Sequence, residues 1–331
     1  MRAGIIGGGG WGSAFAIHLG RLGLRTRLWV REEEIFQELR KTRRNSVFLP
    51  GFYFPRTVSF SHDIQDTAAF AEVLFIAVPS RFCRLVFSAI APALSASQAV
   101  VSLTKGIEEG TLKRMTEIMS EVFPRRGRPT LAVLSGPSFA REVAEKHPTA
   151  VVIASSDGGC AGEVQRLISN IHFRAYTSAD VIGVELAGAV KNVIAVAAGI
   201  SDSLGTGHNS RAALITRGIA EMTRLGVKLG ARKETFLGLA GIGDLVLTCT
   251  ARLSRNYRVG FELGKGRRLE RILAETKMVA EGVTTTVSVR DLAGRERVEM
   301  PISQEVYRVL YENKSPRTSL RDLMRRTLKV E

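Results

Sequence analysis

Short apolar runs alternate with amphipathic stretches through the first part of the chain. Such runs predict strands, and stretches with apolar positions three and four residues apart predict helices. The predicted strands lie at residues 2–6, 25–30, 73–78, 99–103, 131–134, 150–154 and, with a weaker pattern, 172–176, and the predicted helices lie at 13–22, 81–94 and 111–122. This alternation predicts an α/β domain with a doubly wound, mainly parallel sheet.

The strand pattern fades after residue 178, and helical periodicity replaces it. Helices are predicted at residues 181–200, 209–225, 233–238, 255–263, 268–277, 284–294, 302–312 and 319–328. A chain of 331 residues is long for one core and fits two domains. We therefore predict an α/β domain over residues 1–178 and an all-α domain over residues 179–331.

The helix predicted at 181–200 is apolar on nearly every side, which is typical of a buried helix. Its one cation, Lys191, has only small residues one turn away, namely Ala187, Gly188 and Ala195, so a ligand can approach the ammonium. An unpaired buried ammonium costs several kcal/mol. The side chain must therefore be neutral, paired or facing a polar cleft, or else extend to the helix edge. We interpret it as facing a cleft.

A glycine-rich turn of the form GxGxxG spans residues 7–12, between the first strand and the first helix. In a βαβ unit, Gly7 permits the tight turn, Gly9 lets the backbone approach a pyrophosphate, and Gly12 lets helix and strand pack closely. The free N–H groups of the helix then bind the anion. The pattern predicts dinucleotide binding, and the alternative is a flexible turn in another α/β fold.

Arg31 ends the second predicted strand, where such folds select their cofactor. An acid there binds the ribose hydroxyls, whereas a cation accommodates a 2′-phosphate. The glutamates at 32–34 fit the first turn of the next helix. We therefore predict NADP(H), with NAD(H) as the alternative.

Three polar motifs follow predicted strands, at residues 79–80, 104–106 and 135–138. Ligands of doubly wound sheets bind at the carboxyl ends of the strands. Lys105 is therefore expected where cofactor and substrate meet, and the alternative is a surface lysine in a loop.

Two loops of the helical half also carry polar groups. Asp244 ends a glycine-rich loop and either caps the following helix, pairs with Lys191 or binds a substrate hydroxyl. Ser254 is a natural N-cap, and Arg255 follows it at the helix start. Free N–H groups and a guanidinium at one helix start predict a phosphate site.

Composition adds a strong basic excess, with 47 Lys and Arg against 32 Asp and Glu and a net charge of +15. The excess favours anionic ligands such as phosphorylated small molecules. The basic residues lie in short scattered groups without a nucleic-acid-binding motif. We predict a small-molecule phosphorylated substrate and no nucleic-acid partner, with peripheral contact to anionic lipid as an alternative.

The histidine and cysteine residues indicate which groups can bind a metal or transfer a proton and which compartment the protein occupies. The five histidines show no metal spacing, which predicts no metal and leaves lysine for proton transfer. Three cysteines, an odd number, fit reduced thiols in the cytoplasm. The apolar runs are too short or too interrupted for a membrane helix, and the first residues lack the features of a signal peptide.

Several segments together resemble bacterial NAD(P)-dependent glycerol-3-phosphate dehydrogenase. They are GGGGWG, SLTKGIE, SGPSFAREV, GVELAGAVKNVIAVAAGISDSLG, LITRGIAEM, GLAGIGDLVLTC, SRNYRVG and VEMPISQEVYRVLYE. The resemblance implies a Rossmann domain followed by a helical domain like that of 6-phosphogluconate dehydrogenase. It also implies a cytoplasmic dimer that interconverts dihydroxyacetone phosphate and sn-glycerol 3-phosphate for glycerophospholipid synthesis. The nearest alternative is a ketopantoate or β-hydroxyacid dehydrogenase, which would not depend on a substrate phosphate.

By position, the resemblance implies that Lys191 is the proton acceptor in oxidation and the donor in reduction, and that Lys105 contacts substrate and cofactor. The implied substrate-binding residues are Lys105, Gly136, Ser138, Lys191, Asp244, Ser254, Arg255 and Asn256. The implied cofactor-binding residues are Gly10, Trp11, Arg31, Lys105, Ala140, Arg255, Val279 and Glu281, besides Gly7, Gly9 and Gly12 of the turn. Thr248 and Asn192 are secondary candidates.

Overall fold

The computed structural model describes residues 1–124, 126–276 and 279–328. Backbone contacts divide the chain into two compact units. The first unit contains Met1–Lys105 and Lys113–Glu185, and the second contains Gly106–Leu112 and the described part of Leu186–Glu331. The domain boundary predicted at Ser178 stays a prediction, and each unit is described by itself below.

An eight-stranded sheet forms the centre of the first unit. Its strands are β1 (Arg2–Ile6), β2 (Arg25–Trp29), β3 (Val58–Ser61), β4 (Val73–Ile76), β5 (Ala99–Ser102), β6 (Thr130–Ser135), β7 (Thr149–Ala154) and β8 (Phe173–Ser178). They are ordered β3-β2-β1-β4-β5-β6-β7-β8, and every neighbouring pair is parallel except the antiparallel pair β6–β7. The prediction of a mainly parallel sheet is confirmed.

Seven α-helices accompany the sheet in the described part of the first unit. They are α1 (Gly10–Arg21), α2 (Glu33–Thr42), α3 (Ile64–Phe70), α4 (Cys83–Ile90), α5 (Met115–Val122), α6 (Ala140–Ala144) and α7 (Gly158–Ile168). Strand β4 is buried at all four positions, as expected for a parallel strand with both faces covered. Phe15, Phe75 and Phe173 pack in one apolar cluster and Phe87 and Phe123 in another, so the sheet carries two cores.

Two predicted helices of this unit are wrong in their bounds. The helix predicted at 111–122 begins only at Met115, because Leu112 has a φ of +60° and cannot belong to a right-handed helix. The helix predicted at 81–94 is a regular α-helix only over Cys83–Ile90, flanked by 3₁₀ turns at Ser80–Phe82 and Ala91–Ala93. Pro92 in the second turn lacks the N–H that a continuing α-helix needs.

The later part of the chain is helical, as predicted. Its helices are α8 (Val181–Ser203), α9 (Gly207–Lys228), α10 (Lys233–Phe236), α11 (Asp244–Thr250), α12 (Arg255–Gly264), α13 (Leu269–Ala274), α14 (Glu281–Glu296), α15 (Pro301–Tyr311) and α16 (Pro316–Met324). A π-helical turn at Leu239–Gly243 precedes α11. The helix predicted at 268–277 ends at Ala274, and Lys277 lies outside the described residues.

Helix α8 confirms the buried helix predicted at 181–200 and continues to Ser203. It is the one described helix that by itself is long and apolar enough to cross a membrane, but 83% of its most apolar window is buried within the protein. Lys233–Thr250 and Arg255–Gly264 reach the same threshold only if this pair, bent by 47°, is counted as one span. The core helix of a globular protein has the same length and composition, so the burial accounts for the hydropathy of α8.

Candidate active site

The glycine-rich turn joins β1 to α1 as predicted, and its shape depends on glycine. Gly7 has a φ of +121°, and a Cβ atom there would lie 2.6 Å from the Ala77 carbonyl oxygen. A Cβ atom on Gly12 would lie 1.9 Å from the Gly7 carbonyl oxygen, so helix and strand meet at this glycine. Neither position tolerates a side chain without a shift of the backbone.

Gly9 lies at the N-cap of α1 and has a different role. A Cβ atom there would contact nothing within 4 Å, and the residue makes no side-chain cap. Gly10 and Trp11 begin the helix, and the Trp11 ring packs 5.6 Å from that of Phe15. The open backbone and the free N–H groups of the first turn fit the pyrophosphate of a dinucleotide.

Arg31 follows β2 and is exposed. Its guanidinium lies 2.6 Å from a Glu32 carboxylate oxygen and 5.4 Å from the centre of the Phe82 ring. Helix α2 begins at Glu33, and Glu33 and Glu34 occupy its first turn as predicted. Glu32 instead pairs with Arg31, so a ligand phosphate at this guanidinium must compete with that carboxylate.

Lys105, Gly136 and Ser138 come together in the first unit. The Lys105 ammonium donates to the Gly136 carbonyl at 2.9 Å, and the Ser138 hydroxyl donates to the same oxygen at 2.9 Å. Gly136 has a φ of +134°, which favours glycine. Ala140 begins α6 shortly after this group. Lys105 is therefore tethered to the turn after β6, unlike a free surface lysine.

Lys191 lies in the middle of α8 with its side chain 6% exposed. Its ammonium is 3.0 Å from an Asp244 carboxylate oxygen and donates to the Thr248 hydroxyl at 2.7 Å. The Asp244 side chain is 2% exposed, so the ion pair is buried. The alternative in which Lys191 extends to the helix edge is wrong, because the pairing offsets the cost of burying the charge.

Asp244 and Thr248 lie one turn apart on α11 and face the same ammonium. Gly243 is the N-cap of α11 and Asp244 is its first helical residue, so the alternative of Asp244 as the N-cap is wrong and its pairing with Lys191 is confirmed. The Thr248 hydroxyl donates to the Asp244 carbonyl at 2.6 Å, which leaves its lone pairs for Lys191. The two residues therefore fix the direction of the ammonium.

A second network joins α8, α12 and α14. The Asn256 side chain donates to the Asn192 side-chain oxygen at 2.8 Å and accepts from the Gly282 N–H at 2.9 Å. Val279 and Glu281 lie beside Gly282, at the start of α14. The structure therefore links Asn256, a predicted substrate residue, to the residue after Lys191 and to the first turn of α14, where Glu281 also lies.

The predicted phosphate site lies at the start of α12. Ser254 is the N-cap, and its hydroxyl accepts from the Tyr257 N–H at 3.2 Å, as predicted. Arg255 is the first helical residue and is exposed. Desolvation by the surrounding protein lowers the pKa of Arg255, and the nearby Glu281 carboxylate partly opposes this. The guanidinium stays cationic throughout the physiological range.

Sequence reasoning gave Thr248 and Asn192 only secondary weight and missed Asp202, Arg211 and Tyr257. Thr248 pairs with Lys191, and Asn192 pairs with Asn256. In both cases the two partners are far apart in the chain. Only the motif resemblance signalled them. Within the described ranges, no group of three or more His, Cys, Asp or Glu side chains is placed to hold a metal ion.

A Rossmann-type sheet with an open glycine turn, and a helical unit with a buried Lys–Asp pair, define an NAD(P)-linked dehydrogenase. The family models of NAD-dependent glycerol-3-phosphate dehydrogenase match the chain over residues 2–161 (N-terminus) and 180–321 (C-terminus). The chain belongs to this family.

Individual relatives agree with the family assignment. A glycerol-3-phosphate dehydrogenase [NAD(P)+] of Geobacter sulfurreducens is 52% identical over 100% of this chain and 98% of that protein. The crystal structure of glycerol-3-phosphate dehydrogenase from Coxiella burnetii has a TM-score of 0.94 at 38% identity, covering 98% of this chain and 99% of that one. A ketopantoate reductase from Ralstonia eutropha is similar in fold alone, with a TM-score of 0.63 at 15% identity over 97% of this chain and 100% of that one.

Proposed function

We propose that this chain reduces dihydroxyacetone phosphate to sn-glycerol 3-phosphate, and catalyses the reverse oxidation, to supply the backbone of glycerophospholipids. The observation that supports this best is the buried Lys191 ammonium held by Asp244 and Thr248, in a chain that matches the family models over residues 2–161 and 180–321. A fixed ammonium is the acid that reduction of a ketone requires.

The cofactor, when bound, supplies the hydride that reaches the ketone carbon. The turn residues Gly7, Gly9, Gly10, Trp11 and Gly12 are suited to hold its pyrophosphate, and Arg31 its adenosine end. The open space at Gly9 and the free helix start agree with this role. Lys105, Ala140, Arg255, Val279 and Glu281 complete the proposed cofactor contacts.

Lys191 is the proposed proton donor to the oxygen that becomes the new hydroxyl. Asp244 and Thr248 accept from the ammonium and hold it in one orientation before the substrate binds. In the reverse direction the neutral amine accepts the hydroxyl proton. Lys105 adds positive charge that stabilises the developing alkoxide, while its bond to the Gly136 carbonyl fixes its position.

The phosphate of the substrate is assigned to Arg255 and to the N–H groups at the start of α12, with Ser254 shaping that end of the helix. Gly136, Ser138 and Asn256 are the remaining proposed substrate contacts. Binding energy from a phosphate remote from the carbonyl orients the reacting carbon.

A direct test of this function follows NADPH oxidation with dihydroxyacetone phosphate, unphosphorylated dihydroxyacetone and ketopantoate as separate substrates. We expect turnover of dihydroxyacetone phosphate, with a kcat/KM at least about 100-fold above that of dihydroxyacetone, because the phosphate contacts are lost in the latter. Turnover of ketopantoate, without turnover of dihydroxyacetone phosphate, would assign the chain to the other dehydrogenase class.

Replacing Arg31 by alanine is expected to lower kcat/KM for NADPH about tenfold and to leave that for NADH within about twofold, because only NADPH carries the 2′-phosphate. Steady-state kinetics with both cofactors measure this. Arg40→Ala, at an exposed arginine in the last turn of α2, is the matched control. An equal loss for both cofactors would remove Arg31 from 2′-phosphate recognition.

Gly9→Ala is expected to weaken NADPH binding about tenfold or more while the melting temperature changes little, because the added methyl group meets no protein atom but occupies the approach of the pyrophosphate. Fluorescence titration and thermal melting measure the two quantities. Gly158→Ala, also in open space in the first unit, is the control. Unchanged NADPH affinity would contradict the role of Gly9.

We also infer a cytoplasmic homodimer, on the strength of the family resemblance and of three buried free cysteines among the described residues. The charge of +15 leaves peripheral contact with anionic lipid as a further hypothesis. Size-exclusion chromatography with light scattering tests the dimer, and co-sedimentation with anionic vesicles tests the lipid contact.

A further inference from the structure

A partly buried cluster of Asp202, Arg211 and Tyr257 lies in the second unit, outside the proposed contacts with substrate and cofactor. The Asp202 carboxylate accepts from the Tyr257 hydroxyl at 2.6 Å and from the Arg211 guanidinium at 2.9 and 2.6 Å. The Asp202 side chain is 7% exposed. These bonds join three helices: α8 carries Asp202, α9 carries Arg211 and α12 carries Tyr257.

The surroundings of the Tyr257 hydroxyl keep it protonated. Burial, together with the hydrogen bond to the Asp202 carboxylate, raises the pKa of Tyr257 to about 12. The tyrosine is therefore protonated and donates throughout the physiological pH range. The two-pronged contact with Arg211 holds the Asp202 carboxylate in one plane, so the acceptor for Tyr257 has a fixed position.

The backbones of α8 and α12 approach each other at glycines. A Cβ atom on Gly199 would lie 2.0 Å from the Tyr257 carbonyl oxygen, and one on Gly260 would lie 2.0 Å from the Val196 carbonyl oxygen. Glycine contacts set the separation of two helices but supply no directional bond between their side chains. The bond between Tyr257 and Asp202 is directional, like that between Asn256 and Asn192, and the two bonds together limit how far α12 can shift along α8.

Tyr257 also belongs to the end of α12 that carries the proposed phosphate site. It follows Arg255 by two residues, and its backbone N–H is the donor that the Ser254 cap accepts. The other end of the connection, Asp202, lies on the same helix as Lys191, eleven residues further along, or about three turns. Tyr257 therefore ties the phosphate site to the helix of the proton donor at a second point, besides the bond between Asn256 and Asn192.

We propose that Asp202 and Tyr257 are positioning residues, which hold the amino-terminal end of α12 so that a substrate phosphate bound there places the carbonyl at Lys191. This inference rests on the proposed function of Lys191 and Arg255. Neither positioning residue touches the substrate. Their effect is larger on the binding of the phosphorylated substrate than on that of the cofactor, because Arg255 is the one proposed cofactor contact on α12 and the glycine turn lies in the first unit.

The test compares Tyr257→Phe, Asp202→Asn and the double variant in the full-length enzyme. Tyr257→Phe is expected to raise KM for dihydroxyacetone phosphate about tenfold and to leave KM for NADPH within about twofold. Asp202→Asn keeps an oxygen that accepts from Tyr257, so it is expected to raise KM for dihydroxyacetone phosphate less, and the double variant should match Tyr257→Phe because both residues act through one bond. Tyr307→Phe is the matched control. It removes a hydroxyl that interacts with Arg290, on helices without Lys191 or the phosphate site.

A merely structural role gives a different result. It would lower kcat through loss of folded enzyme, with both KM values unchanged, and such a result would overturn the proposal. Equal rises in the two KM values, or additive effects in the double variant, would overturn it as well. Tyr257→Phe keeps the ring and the Asp202–Arg211 pair, so this variant is informative even where Asp202→Asn melts early.

Failure of the inference is distinguishable from failure of the proposed function. If the wild-type enzyme does not reduce dihydroxyacetone phosphate, the proposed function is wrong and the positioning role falls with it. If the wild-type enzyme is active and Arg255→Ala raises KM while Tyr257→Phe and Asp202→Asn do not, only the positioning role is wrong.

Discussion

Lys191→Ala is expected to lower kcat for dihydroxyacetone phosphate reduction by about 10²- to 10⁴-fold, the usual contribution of a general acid. Asp244 and Thr248 hold the ammonium in one orientation. A water molecule that took its place in the variant would have neither the positive charge nor this orientation. The affinity for NADPH should stay within about twofold, because the glycine turn proposed to bind its pyrophosphate lies in the other unit and Lys191 is not a proposed cofactor contact. Single-turnover kinetics and a cofactor titration measure both quantities.

Stability is the necessary control for this variant, because removing one partner of a buried ion pair costs about 3–5 kcal/mol. Lys191→Met keeps most of the side-chain volume and should fold better than Lys191→Ala while showing the same loss of kcat. Lys228→Ala, at an exposed lysine in the last turn of α9, should retain full activity. If folded Lys191→Met turns over at the wild-type rate, Lys191 is not the proton donor.

Arg255→Ala is expected to raise KM for dihydroxyacetone phosphate about 10- to 100-fold, because hydrogen bonds to a charged group contribute about 1.5–3 kcal/mol. Its kcat/KM for unphosphorylated dihydroxyacetone should change little, since that substrate has no phosphate to lose. Arg255 begins α12, where the free N–H groups of the helix add to its charge. Steady-state kinetics with the two substrates make the comparison.

Arg258→Ala is the matched control, because Arg258 is also exposed and lies on the same helix, one turn from the proposed phosphate site. It should leave both KM values near those of the wild-type enzyme. A shift in Arg255→Ala that is confined to KM for the cofactor would contradict the phosphate role and would leave Arg255 as a cofactor contact alone.

Local signals predicted much of the fold. Helix α8 follows from a long apolar stretch that no proline interrupts, and the β1–α1–β2 unit follows from strand, glycine turn and helix in direct succession. Strand β3 was missed because two of its four residues are serines, and α7 was missed because it begins with two glycines.

The reversal between β6 and β7 is also invisible in the sequence pattern. The length of α6 explains this reversal, because the helix has five residues and spans only about 7.5 Å. Strand β6, with six residues, is about 20 Å long. So short a helix does not carry the chain back to the edge of the sheet at which β6 begins, and β7 therefore runs antiparallel to β6.

In the candidate site, too, the sequence pattern does not predict contacts between distant residues. The sequence placed Lys191 in a buried helix and left three states for its charge, because the partner that decides between them is 53 residues away on α11. The cluster of Asp202, Arg211 and Tyr257 had no local signal, since each residue taken alone is an ordinary helix residue. Charge pairing between distant helices is a property of the tertiary packing, and periodicity does not encode it.

A structure of the enzyme with NADP(H) and dihydroxyacetone phosphate bound tests the central claim most directly. The decisive quantity is the distance from the Lys191 ammonium nitrogen to the carbonyl oxygen of the substrate. We expect a hydrogen bond of about 2.7–3.2 Å, with Asp244 and Thr248 still in contact with the ammonium. A carbonyl oxygen bound by another donor, with the Lys191 nitrogen beyond hydrogen-bond reach, would contradict the assignment of Lys191 as the acid.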